Sequence, residues 1–475
     1  MDITYEIIRS WNDTDGNVNT MQDIMNWIEE RKKNLHVNIE KVDFSYNGFW
    51  YYDENTGYIR NENNSFFQLA GYQEIENDRI IGEQPLIIQN EIGYLGIICK
   101  MIDGELNFLM QAKIEPGNVN VIQLSPTIQA TKSNFTRQHG GQSPDYLNYF
   151  INSSRTRILA DQIQSEQASR FYKKRNRNII ILAEEEVPVL DSHRWMTLGQ
   201  IKECMKMDNL VNMDTRTVIS CLPFDLTDTS LAEAGKLFKD EALFRSIFSE
   251  PDKDEERRMF NVLNDRKMFR RDKSRLLPLR SLKGWKMTDK EIVCRTPYDF
   301  KVIYCRIEIE GREVNYWEQP LFEACGISVI GTFSCVIGGV RKYLVRVSEE
   351  MGCFDTAELG PLVQLGPTAD RKSMTELEKL FMDKLEKADK NSKEADVILS
   401  EEGGRFYHEE NRNVLLEIDE KELPALPADH FFVDLATLSD MIRFNNCVNI
   451  QLRNLISLIT IKKEYEDIDN NSCLL

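Results

Sequence analysis

The run Gln111-Ala-Lys113-Ile-Glu115 sets an amide, an ammonium and a carboxylate at alternate positions. On a strand, alternate residues share one face, so these three side chains would stand in a row. Gln89 and Glu91 show the same spacing in an earlier segment, and Thr131, Ser133, Asn134 and His139 follow in one polar stretch. Gathered in a pocket, such a set would hold a small polar ligand and act on it with side chains alone. No cofactor signature accompanies it. The chain has no Gly-x-Gly-x-x-Gly, Walker phosphate loop, Gly-x-Ser-x-Gly elbow or His-Glu-x-x-His.

The chain also carries a second version of this region. Gln84-Pro85-Leu86 reappears as Gln319-Pro320-Leu321, 235 residues on. At that spacing Gly96 meets Gly331, Glu115 meets Glu350, Gly117 meets Gly352, and Trp50 meets Trp285. SEQASRFYKKRNRN (165–178) lies over SEEGGRFYHEENRN (400–413) without a gap. One register from about residue 25 to 178 indicates a duplicated domain. The acidic, proline-containing stretch SEPDKDEERR (249–258) suits the junction, which predicts domains 1–250 and 251–475.

Residues kept in both copies, such as Glu115 and Arg170, serve a shared fold as readily as a site. The differences are more pointed. Gln111 becomes Arg346, Lys113 becomes Ser348, Gln89 and Glu91 become Ala324 and Gly326, and His139 falls opposite Met374. The polar set therefore belongs to the first copy, which predicts a functional pocket there and a degenerate one in the second. The basic run Lys173, Lys174, Arg175 and Arg177 reads as a solvated helix end or an interface, and Trp50 and Trp285 read as core.

Each copy must position these residues with the same elements. Residues 18–33 have helical period, with Met21, Ile24, Met25 and Ile28 on one stripe. Short β-branched segments follow, and Asp103-Gly104 within 97–107 predicts a hairpin turn. The stretch 155–173 has helical spacing, NIIILAEE reads as a strand, and 197–222 as a closing helix pair. Strands before helices predict an α+β fold with an antiparallel or mixed sheet. The 475 residues carry a formal charge of -18, which argues against nucleic acid or an anionic membrane as partner. No apolar run approaches membrane-spanning length, the N-terminus lacks signal-peptide character, and ten scattered cysteines predict reduced thiols in a cytoplasmic protein.

At 111–141 and 165–178, and again at FWYYDENTGYI (49–59) and 84–96, the sequence resembles the NDP-hexose 2,3-dehydratase family, and the likeness extends through the second copy. It departs at Ala168-Ser169, where a glycine is expected, and at Phe135, where a tyrosine is usual. The resemblance implies two tandem Nudix-like domains, a homodimer, and two nucleotide-sugar pockets per chain, of which the N-terminal one is active. The implied substrate is a dTDP-linked 4-keto-6-deoxyhexose. No cofactor or metal is implied, and a downstream NADPH-dependent 3-ketoreductase would take the product. The metal-binding Nudix signature is missing. That weighs against a Nudix-type nucleotide-sugar diphosphate hydrolase, one rival reading; a non-catalytic nucleotide-sugar-binding protein is the other.

The implied reaction removes the C3 proton, made acidic by the 4-keto group, and expels the C2 hydroxyl to give a 3,4-diketo sugar. It needs a base, an acid, and a cation or donors at the enolate oxygen. Lys113 is the cation candidate, for the enolate or a phosphate, and Glu91, Glu115 and His139 are the acid and base candidates, in no fixed order. Under the resemblance Trp50, Gln89, Gln111, Ser165 and Arg170 become substrate contacts. Thr131, Lys132, Ser133, Asn134 and Phe135 would present donors to the diphosphate. Trp285, Arg312, Gln319 and Thr368 would line the second pocket.

Overall fold

The computed structural model describes residues 2–461 except 46–47, 64–65, 132–143, 152–155, 226–227, 271–272, 311–314 and 390–391. Lys132, Ser133, Asn134, Phe135, His139 and Arg312 lie outside the described residues.

Helix Met21–Lys33 starts at a capping box. Thr20 Oγ1 accepts from the Asp23 N–H and the Asp23 carboxylate accepts from the Thr20 N–H. Its Ile24, Trp27 and Ile28 are buried. Strands Gly93–Ile102 and Glu105–Ile114 form the expected hairpin, with Ile102 opposite Glu105. Asp103 and Gly104 both take positive φ, 48° and 83°, as a two-residue turn of this hand requires. The closing helices are Leu198–Met205 and Met213–Ile219, capped by Thr197 and Asn212.

The segment read as helical from 155 to 173 is instead strand Thr156–Ser165, antiparallel to Arg175–Ala183. The register shifts between Ile158 and Ala160. That irregularity displaces the in–out alternation by one and leaves apolar residues at a spacing that imitates a helix. Arg175–Ala183 in turn runs parallel to Gly93–Ile102, so the sheet is mixed.

The same elements recur in the second half: hairpin Ser328–Ile337 and Val340–Glu349, the parallel neighbour Glu410–Glu417, and closing helices Leu435–Arg443 and Ile450–Ser457. Past residue 184 the spacing lengthens by two. The bridge Leu124–Val211 has its counterpart in Leu359–Val448, and Arg216 corresponds to Arg453.

The two halves are not laid side by side. Strand Val37–Lys41 of the first pairs with Phe300–Ile309 of the second, and Lys273–Leu277 of the second pairs with Gln68–Glu76 of the first. Each half thus completes a small sheet of the other. Two of the four apolar clusters among the described residues are shared too, while the other two lie within one half each. Of the shared pair, one joins Trp11, Phe108 and Leu198 to Ile303, Phe431 and Leu455, and the other joins Trp50, Phe67 and Phe171 to Trp285, Phe300 and Phe406. Among the described residues no helix is long and apolar enough to cross a membrane.

Candidate active site

Lys113 and Glu115 stand on one face of Glu105–Ile114 and the residue after it, as their spacing requires. Lys113 Nζ lies 2.9 Å from Glu115 Oε1, and both side chains are largely covered. Gln129 Nε2 donates to the same Glu115 oxygen at 3.2 Å, and Asn212 Nδ2 donates to Gln129 Oε1 at 3.3 Å. Asn212 is also the cap of the last closing helix. That cap fixes the helix start against the strand row and brings Asp214, in the first turn, to the cluster.

The remaining wall combines a turn from the other half with first-half residues that meet it. The turn 401–405 crosses over and docks by the Gly117 N–H, which donates to Gly403 O at 2.7 Å. Arg405 Nη2 donates to Gln89 Oε1 at 3.2 Å, and its guanidinium lies over the Phe67 ring. Gln89 Nε2 contacts Glu91 Oε1 at 3.5 Å, and Lys174 donates to the Glu91 carbonyl. Asn176 Nδ2 donates to Glu166 Oε2 at 2.6 Å. Lys113, Glu115, Glu166, Lys174, Asp214, Glu402 and Arg405 therefore face one another at the junction of the halves.

Burial and mutual repulsion set their protonation. Burial, then the nearby Glu402, Glu166 and Glu115, hold the Asp214 carboxyl well above the usual range, with Lys113 opposing. Burial and Glu402 push Glu166 up to about 8. Glu402 is raised by burial against the pull of Arg405. Lys174 is lowered by burial against Glu166, Glu91 and Glu402. The site is a set of carboxyls of which some keep their protons near neutrality, interleaved with cations. Such an arrangement can accept a proton at one group and donate one at another. Among the described residues no three His, Cys, Asp or Glu side chains converge as metal ligands.

The pseudo-symmetric position in the second half is built alike and carries different chemistry. Asn449 Nδ2 donates to Glu350 Oε1 and Gln364 Oε1 at 2.8 and 3.0 Å. Its crossing turn comes from the first half, where Arg170 pairs with buried Glu409 at 3.1 Å and lies over Phe300. The lysine, the aspartate and the crossing glutamate are replaced: Ser348 stands for Lys113, Gln451 for Asp214, and Gln167 for Glu402.

The sequence-derived candidates divide accordingly. Lys113, Glu115, Glu91 and Gln89 come together. Gln111, half-buried, accepts from Ser125 Oγ at 3.4 Å on the same strand face, and Thr131 lies half-buried just past strand Ile128–Ala130. Arg170 stands at the second-half position, and Ser165 donates to Glu358 of that half at 2.6 Å. Trp50 and Trp285 are 6% and 4% exposed within the aromatic core. Gln319 supports the crossing turn, donating to Gly404 O at 2.9 Å, and Thr368 is exposed and bonded to Asp299. Lys174, read as part of a solvated helix end or interface, is on a strand approach and buried.

Glu166, Asp214 and Glu402 escaped the sequence reading. Carrying the repeat comparison past the two-residue insertion exposes Asp214 against Gln451. Glu402 against Gln167 is visible at the 235-residue spacing, but nothing in the sequence says that a residue peculiar to the second copy stands at the first site.

Two consequences are measurable. A Cβ on Gly117 would stand inside the van der Waals radius of Phe406 O. Gly117→Ala is expected to push out the crossing turn, costing about 1–3 kcal/mol in denaturant unfolding and most of the turnover. Second, burial pushes Glu358 and Glu401 each up to about 7. The folded chain then holds protons that the unfolded chain releases above its ordinary carboxylate range. Stability present at about pH 4 should fall as pH rises through 7, by on the order of 3 kcal/mol for each such carboxyl. Glu358→Gln, which can still accept from Ser165, should flatten that fall in melts between pH 5 and 9; an unchanged slope contradicts the assignment.

The family model for NDP-hexose 2,3-dehydratase matches residues 21–222 and 256–459, once in each half. The chain belongs to the NDP-hexose 2,3-dehydratase family. A dTDP-4-dehydro-6-deoxy-alpha-D-glucopyranose 2,3-dehydratase of Saccharopolyspora spinosa is 38% identical over 91% of this chain and 89% of its own length. Proteins of the same name from Amycolatopsis orientalis and Streptomyces violaceoruber are each 35% identical, over 94% and 91% of this chain and 91% and 95% of their own lengths.

Proposed function

We propose that this chain is a carbon–oxygen lyase that removes water across C2 and C3 of a dTDP-linked 4-keto-6-deoxyhexose, giving a 3,4-diketo sugar for deoxysugar synthesis. The observation that carries the reading is the mixed-charge cluster around Lys113, built at one of two pseudo-symmetric positions and missing its lysine, aspartate and crossing glutamate at the other. Membership of a 2,3-dehydratase family supports the same reaction. Lys113 faces the developing enolate oxygen, and Glu115 beside it takes the C3 proton. Gln89, Gln111, Thr131 and Arg405 orient the sugar and its diphosphate. The second-half position holds a nucleotide sugar without turning it over.

The finer parts of the proposal are a Nudix-like origin for each repeat, nominal domains 1–250 and 251–475 that exchange strands, a homodimer, a cytoplasmic location, and a separate NADPH-dependent 3-ketoreductase that consumes the product. The test is incubation with dTDP-4-keto-6-deoxyglucose, a 3-ketoreductase and NADPH, followed by mass analysis with and without chelator. Loss of the C2 oxygen in both arms is expected. An unchanged sugar, or a chelator-sensitive release of nucleoside monophosphate, overturns the reading.

A further inference from the structure

Glu402 belongs to the second repeat by sequence and to the first repeat's site by position. The turn that carries it is pinned along its C-terminal side. Gln319 Nε2 holds Gly404 O, the Gly117 N–H holds Gly403 O, and Arg405 is bonded to Gln89. The point where a Cβ on Gly404 would stand lies 2.8 Å from Glu402 Oε1 and 3.6 Å from Glu115 Oε1. The two carboxyls therefore approach one small volume from opposite repeats, and Lys113 Nζ lies 2.9 Å from the Glu115 oxygen. At the mirror position the turn carries Gln167, which has no acidic proton to give, although Arg170 and the turn itself are retained.

We propose that Glu402 is the catalytic acid that protonates the departing C2 hydroxyl at the first-repeat site, so that a complete active site requires both repeats. The proposal rests on the dehydratase reading above. The C3–H bond breaks, its proton goes to the base, and its electron pair becomes the C3–C4 double bond of the enolate. The enolate then re-forms the C4 carbonyl, C2–C3 becomes a double bond, and the C2–O bond breaks. The Glu402 proton goes to the leaving oxygen, which departs as water. The resulting 3-enol takes a proton at C2 and loses one from its hydroxyl to become the 3-ketone. One water leaves and no electrons are exchanged with a co-reactant. Burial and the neighbouring Glu115 favour the protonated form of Glu402 that this step uses.

Glu402→Gln copies the residue that the chain already accommodates at the mirror position. In D2O the two halves of the reaction separate. Removal of the C3 proton is read as deuterium entering C3 of recovered substrate, and elimination as loss of the C2 oxygen. The wild-type chain should do both. Glu402→Gln should keep exchange at C3 within a few-fold while elimination falls at least about 10²-fold. A 2-deoxy-2-fluoro substrate, whose fluoride needs less protonation to leave, should recover most of the lost rate. Glu402→Asp, read in the same assays, serves if the amide variant does not fold. Elimination at the wild-type rate in the variant overturns the proposal, as does equal loss of exchange and elimination, which would make Glu402 structural or the base. A wild-type chain that neither exchanges nor eliminates would instead overturn the dehydratase reading itself.

Discussion

Lys113→Gln is expected to lower kcat by about 10²–10³-fold while the chain stays folded. The choice of glutamine matters. Glu115 is 4% exposed, and stripping it of its partner would strand a buried charge at a cost of about 3–5 kcal/mol. A glutamine amide can still donate to Glu115 Oε1, as Gln129 Nε2 already does at 3.2 Å, so packing and hydrogen bonding survive while the positive charge is lost. What disappears is stabilisation of an anion that exists only along the reaction path. The effect should therefore fall on kcat more than on KM. Arg346→Ala provides the contrast. Arg346 occupies the place of Gln111 in the second half and is paired with Glu378 at 3.4 Å. Its loss should change turnover by no more than a few-fold. Steady-state kinetics of both variants, with melts to confirm folding, decide the matter. Equal losses from the two halves would end the idea of a single working site.

The sequence made some of this visible and hid the rest for identifiable reasons. The hairpin at Asp103-Gly104, the capped helix at Met21 and the closing helices are local, and their signals lie within a few residues. The row Gln111, Lys113, Glu115 is local too, because strand alternation alone aligns it. Strand Thr156–Ser165 was misread because its register shift falsifies the period that sequence reasoning measures. The exchange of Val37–Lys41 and Lys273–Leu277 leaves no local trace, since a strand's composition does not say which sheet it joins. The same blindness misplaced Ser165 and Arg170. Comparing copies assumes that each copy's residues serve its own pocket, and here the turn of each half serves the other. Lys174 looked solvated because its neighbours are basic; only the fold shows it turned inward to the Glu91 carbonyl.

Arg453→Met and Arg216→Met should each cost about 3–5 kcal/mol in denaturant unfolding, with different consequences for the reaction. The two arginines are the largest fully buried side chains among the described residues, at 0% and 1% exposure. They sit on the last closing helix of the second and first halves. Arg453 Nη2 donates to Ser165 O at 2.6 Å and Nε to Thr217 Oγ1 at 2.9 Å, while Arg216 Nη2 donates to Ser400 O at 2.7 Å. Each thus reaches across the molecule and clamps the strand end from which a crossing turn departs. Burial lowers both guanidinium groups below their ordinary values, with Glu358 and Glu166 restoring part of the loss at Arg453, and Glu401 and Asp214 at Arg216. Methionine keeps volume and apolar contact. It leaves the clamped carbonyls without their donors and removes a positive charge from beside buried carboxyls, a penalty that packing does not offset. The clamps differ in what they steady. Ser400 opens the turn that carries Glu402 and Arg405 to the Lys113 site, so Arg216→Met should also depress kcat in protein that remains folded at low denaturant. Ser165 opens the turn that carries Gln167 and Arg170 to the second-half position, and the one residue of that turn on the Lys113 side, Glu166, is held independently by Asn176, so Arg453→Met should lose stability with a smaller loss of turnover. If both variants unfold at the wild-type midpoint, the arginines are not clamps. If both lose stability and turnover in equal measure, the division of labour between the two crossing turns is wrong.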